Sequence, residues 1–173
     1  MIKKLSKYSI LSFISIFIIF TLIGYFILSG SSIKLDSLKT FNITLDVNDL
    51  SKIISNNLLI GVLILFGFLT FNLTNLSFIV FNGLLYGIAI NKYSSEFGLL
   101  KTLTAILPHG IIEYLGLAVL FSCSVEINIS LYQYFNKRSN NPIQQKTFKR
   151  ILIGFSLIVF SSLIEVYLTP LIL

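Results

Sequence analysis

The residues best suited to chemistry lie in one short stretch, 107–113, which reads Leu-Pro-His-Gly-Ile-Ile-Glu. This stretch contains the only histidine of the chain and one of its seven acidic residues, inside an apolar run. Proline has a fixed φ and no N–H, so Pro108 suits the first turn of a helix. His109 and Glu113 are four residues apart and share one face of that helix. Because titratable side chains are costly in an apolar helix, we expect this pair to have polar partners elsewhere.

The composition predicts an integral membrane protein. Of the 173 residues, 55% are hydrophobic and 12% are charged, whereas soluble domains carry about 25% charged residues. A net charge of +6 would favour nucleic acid as the partner of a soluble protein. Here lysine and arginine flank apolar segments, so we predict the lipid bilayer as partner and no nucleic acid. Cys123, the only cysteine, lies in an apolar segment and is predicted to be a buried core residue.

Five apolar segments predict an all-α, polytopic membrane helix bundle that forms a single integral membrane domain over residues 1–173. At 1.5 Å per residue, about 20 residues cross the roughly 30 Å hydrocarbon core. The third segment is too short for this by itself, and it is predicted either to borrow residues from the preceding turn or to be partly re-entrant. The predicted spans are 8–28, 53–71, 76–90, 106–127 and 151–173.

The polar connections between these segments have their own predictions. Residues 29–52 are predicted to form an exterior loop with a short surface helix that begins at Asp46 or Asn48. Residues 91–104 alternate charged and apolar side chains, which favours an interfacial helix or loop. Residues 128–150 form a basic loop that touches anionic lipid or binds a cytoplasmic ATPase.

The positions of the basic residues predict how the chain is oriented in the membrane. The N-terminal lysines and the basic loop 128–150 fall on the same side of a five-span chain. The positive-inside rule therefore places the N-terminus in the cytoplasm and the C-terminus outside. The predicted location is a cell membrane, specifically the bacterial cytoplasmic membrane.

In that orientation, the buried polar residues lie at one depth. Counting 1.5 Å per residue from the outer ends of the spans puts Glu113 about 7–8 Å deep and Glu165 roughly 9–12 Å deep. A lone carboxylate in hydrocarbon costs about 2.5–3.5 kcal/mol, so each acid either pairs or stays protonated. The cluster either only joins the helices or forms a functional pocket or proton site. Its predicted members are Asn56, Asn57, Asn82, His109, Glu113 and Glu165.

Enzyme motifs are absent from the sequence. A zinc site needs three or four ligands, and His109 has no second histidine to complete one. Neither HExxH nor GxSxG occurs. We therefore predict no cofactor, no metal and no enzymatic activity. Acid/base work by Glu113 with Glu165 is the one enzymatic alternative.

The same polar residues carry a family resemblance. Four pieces occur in order: Asn56-Asn57 at the start of a glycine-containing span, Asn82-Gly83 with Gly87, LPHGIIE at 107–113, and IEVYLTP at 164–170. With these, residues 53–172 resemble the stage II sporulation protein M family of multi-pass bacterial and archaeal membrane proteins. The motif positions that transfer are Gly83, Gly87, Pro108, Gly110 and Pro170. The resemblance implies a multi-helix fold and no catalytic residues.

The resemblance also implies a class of function. Sporulation members suggest a role in a complex that acts on peptidoglycan during engulfment, and other members occur with circular-bacteriocin production, in secretion or self-immunity. The expectation is therefore a non-catalytic accessory or scaffold protein. Its expected partners are membrane proteins or further copies of itself, an ABC-type ATPase or a secreted peptide. The alternative is a channel or transporter subunit that uses the buried Glu/His/Asn site.

Overall fold

The computed structural model describes residues 2–29, 47–136 and 145–172, and five helices in these ranges are long and apolar enough to cross a membrane. No strand occurs in the described part of the chain, so the prediction of an all-α bundle with five spans is confirmed. A 3₁₀ turn, Gly67–Thr70, follows the second helix. The helices are α1 (Ile2–Ser29), α2 (Val47–Phe66), α3 (Leu73–Phe97), α4 (Leu99–Phe135), α5 (Gln145–Tyr167) and the short α6 (Thr169–Ile172).

Helix α4 is the centre of the bundle. It has 37 residues and contacts every other described helix, whereas α1 contacts only α3 and α4. Helix α2 packs mainly on α4 and α5. The peripheral helices α1 and α2 therefore each keep one face turned away from the bundle.

Glycines allow α1 and α3 to approach closely. A Cβ atom on Gly83 would lie 2.9 Å from the Cβ atom of Phe20, and one on Gly87 would overlap the carbonyl oxygen of Thr21. Gly83 meets residues 17–21 and Gly87 meets residues 21–25, so α1 and α3 run parallel. The helix that packs against Gly83 and Gly87 of α3 is thus α1.

Helices α4 and α5 are antiparallel and meet at glycines as well. A Cβ atom on Gly116 would lie 2.9 Å from the carbonyl oxygen of Gly154. The buried apolar core beside this crossing includes Leu117, Leu120 and Ile158. The contact continues along both helices, and it fixes which residues of α4 and α5 face each other.

The third span takes residues 73–75 from the preceding turn, which is one of the two predicted alternatives, but the segment after it differs from the prediction. Helix α3 has 25 residues, so it is long enough to cross fully, and residues 91–104 are neither an interfacial helix nor a loop. The polar residues 91–97 continue α3, and the chain turns only at Gly98, where φ is 84°. The prediction failed because the charges at residues 92 and 96 were interpreted as an end of the helix.

Other predicted boundaries were also wrong. Helix α4 begins at Leu99, so Pro108 lies in its interior and not in its first turn. Helix α2 runs from Val47 directly into the second span instead of forming a separate surface helix, and Asp46 lies outside the described residues. The basic loop is shorter than predicted, because residues 128–135 belong to α4 and residues 145–150 to α5.

Candidate functional site

The centre of the candidate site is the interruption that Pro108 makes in α4. A proline inside a helix has no N–H to donate to the carbonyl oxygen four residues earlier. Two side chains from other helices donate to carbonyl oxygens in this turn: the Tyr86 hydroxyl to Ile106 at 3.4 Å and the Thr169 hydroxyl to Ala105 at 3.3 Å. Membrane helices tolerate proline where neighbouring helices supply such donors. The turn of α4 just before Pro108 is therefore a point at which α3 and α6 attach to α4.

The side chain of His109 points towards α6. Its side chain is 8% exposed, and its Nδ1 atom lies 3.2 Å from the Thr169 hydroxyl. Thr169 reaches this position because α5 ends at Tyr167 and Pro170 lies in the separate short helix α6. The two motif stretches, 107–113 and 164–170, thus contact each other directly.

Glu113 and Glu165 face each other across the α4–α5 contact. Moving one helical turn inward from the His109–Thr169 contact leads to Glu113 on α4 and to Glu165 on α5. The two carboxyl groups lie near each other, and both side chains are partly buried. Within the described part of the chain, neither carboxyl group has a hydrogen bond or an ion pair. The two acids are therefore lateral neighbours as well as being at similar depth.

Two tyrosines complete the surroundings of these acids. Tyr86 lies near both Glu113 and Glu165, and Tyr114 lies near Glu113. The rings of Tyr86 and Tyr114 are 5.4 Å apart, edge to face. A Cβ atom on Gly110 would overlap the Tyr86 hydroxyl oxygen, so the glycine of the motif makes room for this tyrosine. We call Tyr86, His109, Glu113, Tyr114, Glu165 and Thr169 the outer polar cluster.

The three predicted asparagines have different positions. Asn57 is buried, and its Nδ2 donates to the Ser162 Oγ at 3.2 Å, one turn from Glu165 on α5. Asn82 is half-buried and donates to the carbonyl oxygen of Phe78 in its own helix at 2.8 Å. Asn56 is exposed. The structure therefore brings Asn57 beside the outer polar cluster, whereas Asn82 and Asn56 do not join it.

The sequence reasoning missed the roles of Tyr86, Tyr114 and Thr169. Tyrosine and threonine are common in apolar spans, so their types alone gave no signal. Gly110 was the available clue, because a small residue next to His109 indicates that another group approaches there.

A cleft lies on the other side of the two tyrosines. It opens between α1, α3 and α4, and its volume is about 320 Å³. Phe17 lies in it and stacks on Tyr114, with ring centroids 3.6 Å apart. Apart from the tyrosines and Thr21, its lining is apolar: Ile14, Phe17, Ile18, Leu22, Ile90, Leu107, Gly110, Ile111 and Leu115.

A second polar group joins α4 and α5 near the opposite end of the bundle. Glu126 is buried and forms an ion pair with Arg150, which also donates to the Ser122 hydroxyl. The Thr147 hydroxyl donates to Glu126 Oε2 at 3.2 Å. The neighbouring Cys123 is buried, as predicted, with a free thiol. Glu126 and Arg150 lay at the margins of predicted spans, so the sequence did not indicate that they pair.

A third polar group fixes the turn between α2 and α3. Phe71 and Asn72 both have positive φ, at 52° and 65°. The Asn72 Oδ1 accepts hydrogen bonds from Asn75 at 2.9 Å and from Ser124 of α4 at 2.8 Å. The asparagine side chain tolerates the left-handed conformation. The predicted turn is thus anchored to the central helix.

Metal binding has little support in this arrangement. Among residues 2–29, 47–136 and 145–172, no three His, Cys, Asp or Glu side chains form a group that could hold a metal ion. Glu113 and Glu165 form a pair, and His109 is directed at Thr169 instead. Chemically, the outer polar cluster can exchange protons and hydrogen bonds between helices.

Comparison with known proteins places the chain in a family. The model of the family "stage II sporulation protein M" matches residues 13–170, so the chain belongs to this family. The match also includes most of α1, which lies outside the 53–172 range of the sequence resemblance. It is not a known enzyme family.

One curated relative is similar over most of its length. An uncharacterized protein of Methanocaldococcus jannaschii is 32% identical over 123 residues, which cover 68% of this chain and 69% of the relative. No solved structure matches the chain significantly. The family and the five apolar helices make this a membrane protein.

Proposed function

We propose that this member of the stage II sporulation protein M family is a non-catalytic accessory or scaffold subunit of a membrane complex. It acts through partners in a cell membrane, and the proposed location is the bacterial cytoplasmic membrane. The complex serves either the secretion of a peptide such as a bacteriocin and immunity to it, or envelope remodelling of the sporulation type. A membrane-protein subunit, an ABC-type ATPase or a secreted peptide is the expected partner.

The observation that carries this proposal is the use of polar side chains as connections between helices. His109 contacts Thr169, Asn57 donates to Ser162, and Glu126 pairs with Arg150. Each contact joins α5 or α6 to another helix. Interhelical hydrogen bonds of this kind stabilise membrane bundles by about 0.6 kcal/mol each. Such a distribution supports a rigid bundle that presents surfaces to partners.

Reciprocal co-purification from native membranes tests the proposal. The tagged chain is solubilised after mild cross-linking, its partners are identified, and each partner is then tagged in turn. We expect a membrane protein or a secreted peptide to be recovered in both directions at a constant ratio. Recovery of the chain alone, without any reciprocal partner, would contradict the scaffold role.

The outer polar cluster favours a second candidate, a channel or transporter subunit. Two facing acids that have no hydrogen bond among the described residues, Glu113 and Glu165, lie in a membrane-spanning part of the bundle. Intramembrane acids often mark proton or ion paths. Five spans make a small pore, so this role would need further copies or a partner ATPase.

Flux measurements separate the two candidates. The purified chain is reconstituted into liposomes with a pH-sensitive dye, with and without its co-purified partner. Proton or ion flux that is lost in the Glu113→Gln, Glu165→Gln double variant would favour the transporter. Absence of flux in both preparations would favour the scaffold.

A further inference from the structure

Asn56 is a polar side chain on the outside of the bundle. It is exposed, whereas Asn57 beside it is buried and donates to Ser162. Among the described residues, none forms a hydrogen bond with the Asn56 amide. Two consecutive asparagines on α2 thus have opposite surroundings, and only one of them is used within the chain.

Two counts along the helices place Asn56 at hydrocarbon depth. Lys52 is the last charged residue of α2 before its apolar run, and four residues at 1.5 Å each put Asn56 about 6 Å below it. On α5, Ser162 lies twelve residues beyond Arg150, which is about 18 Å into a core of roughly 30 Å. An amide that faces hydrocarbon at this depth is costly unless another group hydrogen-bonds to it.

The exposed side chains of α2 form one stripe below Asn56. Leu59, Leu63 and Phe66 are 57%, 43% and 52% exposed. Together with Asn56 they recur every three or four residues, which places them on one face of the helix. The buried residues of α2, which are Asn57, Gly61 and Ile64, lie on the other side of the helix. We call the four exposed residues the α2 stripe.

We propose that the α2 stripe binds the α2 stripe of a second copy of this chain. The two copies are related by a two-fold axis along the membrane normal, so that the α2 helices run parallel and the Asn56 amides hydrogen-bond to each other. The inference rests on the proposed scaffold function and names one partner for it.

The chemistry of the stripe favours a second copy over another protein. A carboxamide both donates and accepts, so it is complementary to itself, and a two-fold axis brings identical residues together at identical depth. The apolar residues below Asn56 also meet their own copies. Lys52, one turn outward, is exposed and lies near the predicted membrane surface, where water hydrates the ammonium groups of both copies.

Disulfide cross-linking in vesicles tests the position of the interface. Cys123 is the only cysteine, so a Cys123→Ala chain is a background for single cysteines at Asn56, Leu59 or Leu63. Leu22 of α1 and Phe160 of α5 are exposed controls on other faces. After oxidation in dilute phosphatidylcholine and phosphatidylglycerol vesicles, we expect cross-linked dimers from the α2 positions only. Equal cross-linking from the controls, or none from α2, would overturn the proposal.

An equilibrium measurement tests the role of the amide. Förster transfer between labelled copies in the same vesicles gives the dimer dissociation constant. We expect Asn56→Leu to raise it roughly 3- to 30-fold and Asn56→Gln to change it less, because glutamine keeps the amide. An unchanged constant for Asn56→Leu would contradict the amide contact.

The test of the α2 interface and the test of the scaffold function can fail independently of each other. Monomers in vesicles, with reciprocal partner binding intact in native membranes, would overturn the α2 interface alone. Dimers in vesicles with no reciprocal partner would contradict the scaffold function and leave the interface standing.

Discussion

Glu113 of α4 and Glu165 of α5 face each other in the membrane-spanning part of the bundle, one turn inward from the contact between His109 and Thr169. The two acids share one neighbour, because Tyr86 of α3 lies near both. Three helices therefore meet at one polar point. This relationship links the two sequence motifs, since 107–113 supplies one acid and 164–170 supplies the other.

Replacing either acid with leucine is expected to have the same effect. Glu113→Leu and Glu165→Leu each remove one of two neighbouring acids beside Tyr86 that have no hydrogen bond among the described residues, so each should change the free energy of unfolding in the same direction and by a similar amount. The double variant should differ from the sum of the single variants by about 0.5–3 kcal/mol, as residues in contact do. Denaturant titration in bicelles measures the free energy of unfolding of the two single variants and of the double variant. If one variant folds as the wild type does and the other does not assemble, the two acids do not act together.

Gly110→Ala should destabilise the bundle through Tyr86. The added Cβ atom would overlap the tyrosine hydroxyl, and overpacking of this kind costs about 1–3 kcal/mol. Tyr86→Phe removes that hydroxyl and the bond to Ile106, so it should restore most of the loss when it is combined with Gly110→Ala. Thermal unfolding in detergent measures the four chains of this cycle. If Gly110→Ala lowered the stability equally in the presence and in the absence of the Tyr86 hydroxyl, the predicted overlap between the two residues would be contradicted.

The Glu126–Arg150 pair should be the strongest single connection between α4 and α5. Arg150→Ala leaves the buried Glu126 carboxylate without its cation, and breaking a buried pair costs about 3–5 kcal/mol. The Arg150 side chain is 26% exposed, so the lower end of that range is expected. Lys149→Ala is the matched control, because Lys149 is the exposed neighbour. If Lys149→Ala lowered the free energy of unfolding as much as Arg150→Ala does, the effect would come from the loss of any positive charge in this part of α5 and not from the ion pair.

Much of the fold follows from the sequence, because apolar length is decisive in a membrane. Five spans were predictable, but their ends were not: polar residues 91–97 continue α3, and only the positive φ of Gly98 ends the run. Pro108 was misplaced for a related reason. A proline inside a membrane helix is tolerated when neighbouring helices supply hydrogen-bond donors. The donors to the turn before Pro108, Tyr86 and Thr169, come from distant parts of the chain.

The candidate site was predictable in depth but not in lateral position. Counting residues along the helices placed Glu113, Glu165 and Asn57 at similar depth, and the structure brings them to one region. The same count could not tell that Asn56 points outward, because it carries no information on helix rotation. The pairing of Glu126 with Arg150 depends on the register of α4 and α5, which glycines 116 and 154 help to fix.

The most direct test of a non-catalytic scaffold is the activity of the Glu113→Gln, Glu165→Gln double variant in the cell. Glutamine keeps the size and the polarity of glutamate but cannot exchange a proton. The gene is deleted, and the double variant is expressed at the wild-type level, with membrane insertion and reciprocal partner recovery measured alongside the lost phenotype. We predict full complementation and unchanged partner recovery. A variant that inserts and binds its partners normally but fails to complement would contradict the scaffold account and assign proton chemistry to the two acids.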